Sequence, residues 1–309
     1  MKRNLFTLPL CTKGALLGLV LIFGSIFTGN STPQATAAAV SEKQAVYNQF
    51  QQIIKNPSGL IQARNYLLNH MDEAGSWYAT VMTLQLENAQ IARLDTFAEK
   101  LYPERVQQAI DTAAVKGGLT YSGLSGAVQD SSIRKLLIES RDTGYKIESS
   151  EGMYYPIMHY EGFKAFKPYI AKDIAAYIDL MATESNRPAT YDAGIVITWD
   201  EIIARAVIME DFVQSYPKSN RVSVVQTELG YAVSRTFYGT DNTPAYDYED
   251  EAIDPALKKA YEKVLLEEPG DSRVLQIIQK LLPMLDASDD RFTPQIESYL
   301  KTALKEFIK

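Results

Sequence analysis

Apolar residues along most of this chain recur every three or four positions, the spacing that gathers them on one face of an α-helix. The last stretch is the clearest. Ile296, Tyr299, Leu300, Ala303, Leu304, Phe307 and Ile308 keep the spacing throughout a predicted helix over 293–308, behind a Thr293-Pro294 start. At the other end, Val46, Tyr47, Phe50, Ile53 and Ile54 share a face behind a Ser41/Gln44 capping box, and Asn56-Pro57-Ser58-Gly59 stops the run. A second helix is predicted over 60–71. Gly75-Ser76 breaks it, and Ser76 is placed to cap a third helix from Trp77 toward Leu101. Pro103 opens another, and Gly117-Gly118 closes it. Residues 117–130 hold four glycines and no stripe, so they read as a loop. Asp130 or Ser131 then caps a short helix to Arg141. Beyond Tyr160 the periodicity predicts helices over 160–166, 168–185, 199–216, 220–239, 254–268 and 271–286.

One segment breaks the helical pattern. Residues 145–149 and 153–158 carry Tyr, Ile and Met on two arms around Ser150-Glu151-Gly152, which predicts a β-hairpin. Pro156 confines the second arm to an edge, and two isolated strands need helices to pack on. The expected fold class is therefore all-α: antiparallel helix pairs, of the kind that stack into an α-α superhelix, with one short hairpin near 145–158. No composition shift marks a domain boundary. Residues 40–309 are read as one domain, or as regions 40–144, 145–198 and 199–309.

The N-terminus changes the picture. Lys2, Arg3 and Lys13 precede a 14-residue apolar run from Gly14 to Phe27, and Ala35-Thr36-Ala37 and Ala37-Ala38-Ala39 fit a small-x-small cleavage rule. Residues 1–39 thus read as a secretory signal, whose apolar run is shorter than the roughly 20 residues a spanning helix needs. The alternative is that the segment is kept as an anchor. Removing a leader with three bases and no acid takes the net charge from −7 to −10. The sole cysteine, Cys11, leaves with it. An acidic, thiol-free exported chain is expected to meet the membrane only through its leader. Its expected location is outside the cytoplasm or at the bacterial cell envelope.

Composition then narrows the chemistry. Hydrophobic residues make up 46% and charged residues 22%, which excludes a mainly disordered chain. One Cys and two His leave nothing for a disulfide framework and little for a zinc site. With 38 acids against 31 bases, no nucleic-acid partner is expected. No cofactor and no metal are expected. The acidic run Asp247-Tyr248-Glu249-Asp250-Glu251 reads as a solvated loop before a helix N-terminus. Asp286, Ser288, Asp290 and Glu297 follow an EF-hand-like register, but Arg291 stands where the turn wants Gly.

Phe212-Val213-Gln214-Ser215-Tyr216-Pro217 and Val264-Leu265-Leu266-Glu267-Glu268-Pro269 both place an apolar pair ahead of a proline, with Met209 and Tyr261 at packing positions and Leu229-Gly230 on a helix between them. Over 199–287 this resembles tetratricopeptide-like repeats, with the 239–253 loop as extra length. The resemblance implies a scaffold that binds protein or peptide.

Two motifs admit catalysis. Ser132-Ile133-Arg134-Lys135 matches the S-x-x-K of penicillin-binding enzymes, in which one helical turn sets the amine of Lys135 beside the hydroxyl of Ser132. The commoner meaning of Ser132 there is a helix cap. Glu184-Ser185-Asn186-Arg187-Pro188 resembles the E-S-x-x-x-P stretch of lytic transglycosylases, which would make Glu184 a proton donor to a glycosidic oxygen. Its plainer meaning is a helix end stopped by Pro188. The densest unusual feature is aromatic: eight rings in the 33 residues from Tyr145 to Tyr177. Tyr154 and Tyr155 alternate to opposite faces, so at least one is expected to leave the core. With Tyr160 and Glu151 they form a candidate surface for sugar rings or a peptide. The reading is an exported, non-enzymatic binding or scaffold protein, with protein, peptide or cell-wall glycan as partner. The alternative is a cell-wall-active enzyme using Glu184, or Ser132 with Lys135.

Overall fold

A computed structural model describes residues 33–56, 58–267 and 271–307. The basic and apolar parts of the leader, Pro57, Pro269 and Ile308 lie outside the described residues. The chain forms helices α1 (Pro33–Ile54), α2 (Leu60–Ala98), α3 (Glu104–Gly117), α4 (Tyr121–Ala127) and α5 (Ser131–Thr143). Strands β1 (Tyr145–Ser150) and β2 (Met153–Met158), a 3-10 helix (Tyr160–Tyr169) and α6 (Lys172–Asn186) follow. Next come β3 (Thr190–Tyr191), β4 (Gly194–Ile195), α7 (Trp199–Ser215), α8 (Val222–Tyr238), β5 (Gly239–Thr240) and β6 (Thr243–Pro244). Helices α9 (Pro255–Glu267), α10 (Arg273–Ala287) and α11 (Pro294–Ala303) complete it. The fold is all-α with short antiparallel hairpins, and no described helix is long and apolar enough to cross a membrane.

Gly75 is the corner of the N-terminal half. Its φ of 69° and ψ of 153° interrupt α2 at the predicted break, and only glycine takes that conformation at low cost. The chain reverses there. Tyr66 reaches back to the Val46 carbonyl at 3.3 Å, so residues 60–74 run antiparallel to α1. Gln51 meets Gln85 at 2.6 Å and Gln44 meets Tyr78, so the second half of α2 runs parallel to α1. Gln44 is committed to Tyr78, and α1 continues N-terminally past Ser41 to Pro33, so no helix starts at the expected capping box.

Three expectations are corrected. Residues 117–130 are not a loop: Thr120 accepts the Gly123 N–H and starts α4, whose Leu124 is fully buried. Glycine-rich composition hid the cap. The last helix ends at Ala303 rather than 308, and residues 304–307 form turns. Two more hairpins, β3–β4 and β5–β6, stand where none was expected.

The predicted hairpin is present, with Ile147 opposite Pro156. Tyr145 and Ile147 point into the core. The free edge of β2 is closed by a side chain: Gln107 of α3 donates to the Tyr154 carbonyl and accepts its N–H, both at 2.8 Å. Covering an edge this way removes a template for unwanted strand pairing.

Buried apolar residues from Val46 to Leu304 form one contiguous cluster. In its C-terminal part α7 packs along both α8 and α9. The repeat resemblance would pair α8 with α9. They meet through Phe237 and Tyr261, whose hydroxyl donates to the Thr236 carbonyl at 2.7 Å. Gly230 faces the C-terminal turn instead, where a Cβ would lie 2.8 Å from the Phe307 carbonyl oxygen.

Candidate functional site

The residues singled out by sequence scatter over four places. Ser132 sits in the first turn of α5, whose cap is Asp130. Its hydroxyl donates to Asp130 Oδ1 at 2.6 Å, and the same oxygen accepts the Ser132 and Ile133 N–H groups. Lys135 is exposed and makes no hydrogen bond with a described residue. The Ser132 hydroxyl is therefore engaged by the cap of α5.

Glu184 lies near the end of α6, half-buried, on a cavity of about 350 Å³ walled by Leu180, Met209, Phe212 and Tyr216. Arg205, only 5% exposed, donates one nitrogen to both Glu184 oxygens at 3.2 Å and another to Glu201 at 2.7 Å. Burial pushes the Glu184 carboxyl above the usual range, and Arg205 and Arg235 pull against it. Glu228 of α8 is raised as well, by burial first and by the Glu184 charge second. A buried carboxyl next to an apolar cavity has the setting of a proton donor. The guanidinium on both its oxygens favours the ionised form and works against that role.

Tyr160 is a core residue rather than a surface one. It is 6% exposed, and its hydroxyl donates to Glu87 Oε1 at 2.9 Å. Tyr177 bonds the same oxygen at 2.5 Å, and Arg221 holds the other one at 2.8 and 3.0 Å. Burial beside that charge drives both tyrosines far above their ordinary range. Tyr154 is half-buried, with its hydroxyl on Asp111 Oδ1 at 2.9 Å. Tyr155, on the other face of β2, is half-exposed. Burial first, and then the Glu148 charge, raises the pKa of its hydroxyl above the ordinary range.

Those hairpins dock tip to tip. Glu151 and Gly152 (φ 48° and 74°) make a two-residue turn with both centres left-handed, and so do Asp192 and Ala193 (φ 46° and 58°). Asp192 Oδ1 accepts the Ser150 hydroxyl at 2.8 Å and the Glu151 N–H at 2.9 Å. Behind it, Asn242 donates its N–H to the Ala193 carbonyl at 3.0 Å and its amide to the Asp192 carbonyl at 2.5 Å. Thr243 Oγ1 accepts the Ile195 N–H at 3.0 Å. The loop after β6 continues the row, with Tyr248 reaching the Asp241 carbonyl at 3.3 Å.

The result is a ridge of three hairpin tips and a loop. Met153, Tyr191 and Tyr248 stand out at 43%, 46% and 75% exposure. Around them lie Glu151, Asp192, Asp241 and the Asp247–Glu251 run, all exposed and none ion-paired with a described residue. Among the described residues, no three His, Cys, Asp or Glu side chains come together as a metal-holding group. Sequence reading found one end of the ridge, at Glu151 and Tyr155. It missed Tyr191 and Tyr248, which the extra hairpins and Asn242 bring alongside. No family model, curated protein or solved structure matches this chain.

Proposed function

We propose that this chain is an exported, non-enzymatic binding or scaffold protein, and that the hairpin ridge is its recognition surface. The observation that carries this reading is the ridge itself: exposed Tyr191 and Tyr248 among carboxylates with no ion-pair partner among the described residues. Tyrosine offers contact area at low rotamer cost and a face for a cation, and an acidic field selects a basic partner. The partner favoured is a Lys/Arg-containing protein or peptide segment. Cell-wall glycan is the other class, because tyrosine faces also suit sugar rings. Export rests on the leader, and N-terminal sequencing of the protein recovered outside cells is expected to begin after Ala37 or Ala39.

The binding test is a titration with basic peptides and, separately, retention on purified wall glycan. Binding to the peptides should fall steeply with salt. It should drop about tenfold in Tyr191→Ala and Tyr248→Ala with unfolding unchanged. Retention of neither class by the native protein would refute the reading.

A second reading has one observation behind it: Glu184 is raised by burial and lines a cavity. If it donates a proton to a glycan, the native protein should release soluble wall fragments and Glu184→Gln should not. No release by the native protein removes this alternative.

A further inference from the structure

Away from the ridge, the start of the 3-10 helix faces α2 across a small basic recess. Arg64 of α2 lies half-buried over two glycines, its stem against Gly144 and its guanidinium toward Gly162. Neither Arg64 nor the side chain of His159, the residue just before the 3-10 helix, makes a hydrogen bond with a described residue. Both are half-buried and reachable from solvent. A methyl group built on Gly162 would sit 3.4 Å from Arg64 Nη2 and 3.6 Å from His159 Nδ1. Both nitrogens thus face the same point above Gly162, and glycine keeps the gap at that point open.

Among the surrounding charges, Asp142 and Arg141 act on Arg64 with opposite signs. On α5, Asp142 is taken by Arg141 at 2.8 Å. On β1, Glu148 lies 3.5 Å from Lys146. On the 3-10 helix, Glu161 is held by Lys164 at 2.8 Å and by Asn186 of α6 at 2.8 Å. Each nearby acid has its own partner, so the recess keeps a net positive charge. The same charges act on His159, whose pKa is lowered by burial first, then by Lys146 and Arg64, with Glu161 pulling the other way.

We propose that Arg64 and His159, with Gly162 keeping the gap between them open, form a binding site for a phosphate-type oxyanion. A guanidinium edge offers paired N–H donors to such an anion, and an imidazole opposite supplies a third donor. Because both nitrogens face one point, two oxygens of one phosphate can reach them together. The source is either the free ion or a phosphate monoester on a larger molecule. Binding also carries a proton, because a bound anion favours the charged imidazole. This inference does not depend on the ridge.

The chain has two histidines, so the test reads directly. His159 and His70 are followed by imidazole proton resonances while inorganic phosphate is added at constant ionic strength, with chloride as reference. His70, exposed beside Glu73 on α2, is the internal control. Phosphate is expected to shift His159 saturably and raise its pKa by about one unit, leaving His70 in place. Gly162→Ala has a φ that suits any residue and ordinary contacts for its methyl, so it should fold. It should nevertheless abolish the shift by filling the gap, and Arg64→Gln should do the same. Glycerol phosphate in place of phosphate separates the sources: an equal response points to an ester group, and no response to the free ion. An unmoved His159 at tens of millimolar phosphate would overturn the site. So would a response that survives both Gly162→Ala and Arg64→Gln.

Discussion

Asp130 and Ser132 show how one carboxylate secures a helix start. Asp130 Oδ1 takes two backbone N–H groups of α5 and the Ser132 hydroxyl, and these bonds hold the Asp130 carboxyl below the usual range. Asp130→Ala should therefore lower the urea midpoint, as the loss of an N-cap does. Ser132→Ala should cost much less, because the cap survives it. A large loss in Ser132→Ala with none in Asp130→Ala would reverse the assignment. Glu228 carries a second residue-scale expectation. Its folded pKa lies above the unfolded value of 4.5, so ionisation opposes folding. The native state binds the extra proton, and stability falls as pH rises from 4.5 through the folded pKa. Glu228→Gln should then stabilise at pH 7, with the gain fading toward pH 4.5. Unfolding curves at the two pH values check the sign.

The elements legible in the sequence were those whose stops and starts are chemical. Gly75, Asp130 and Thr293 announce their roles by residue type alone, and the structure uses each as a corner or cap. The hairpin β1–β2 was legible because Glu151-Gly152 ends in the residue a left-handed turn prefers. Its neighbour β3–β4 was not, because Ala193 occupies a left-handed position that alanine disfavours. Tertiary bonds hold it there, those of Asn242 with Ala193 and Asp192, of Thr243 with Ile195 and of Asp192 with Ser150 and Glu151, and no local pattern encodes them. Half of the ridge was hidden for the same reason. Tyr191 joins the ridge because a turn was forced, not because the spacing asked for it. Ala193→Gly should release that strain and raise unfolding free energy by about 1 kcal/mol without altering the ridge. If Ala193→Gly is neutral or destabilising, the turn is not the strained part.

Across the whole molecule, the buried pair Glu87–Arg221 ties the N-terminal helices to the C-terminal ones. Glu87 sits on α2 and Arg221 just before α8, at 3% and 7% exposure. Tyr160, Tyr177 and Asn88 satisfy the rest of the cluster at 2.5–2.9 Å. Periodicity could not reveal it, because the two residues lie 134 positions apart and each interrupts an otherwise apolar surface. A buried pair of this kind adds little over apolar residues of similar shape, yet removing one partner strands the other charge. Arg221→Met and Glu87→Leu should each cost about 3–5 kcal/mol, whereas the double variant should cost far less than their sum. The chain offers a probe on each side of this tie, Trp77 on α2 and Trp199 on α7. With Trp77→Phe, fluorescence follows Trp199 alone while circular dichroism follows every helix. In the native background the two should give one urea midpoint, as a single core requires. In Arg221→Met both midpoints should fall. Trp199 should then stay native after part of the helical signal is lost, because the α7–α10 packing does not use the clamp. Additive single losses would mean the pair is two independent contacts. A native background that already unfolds in two steps would mean the halves were never coupled through it.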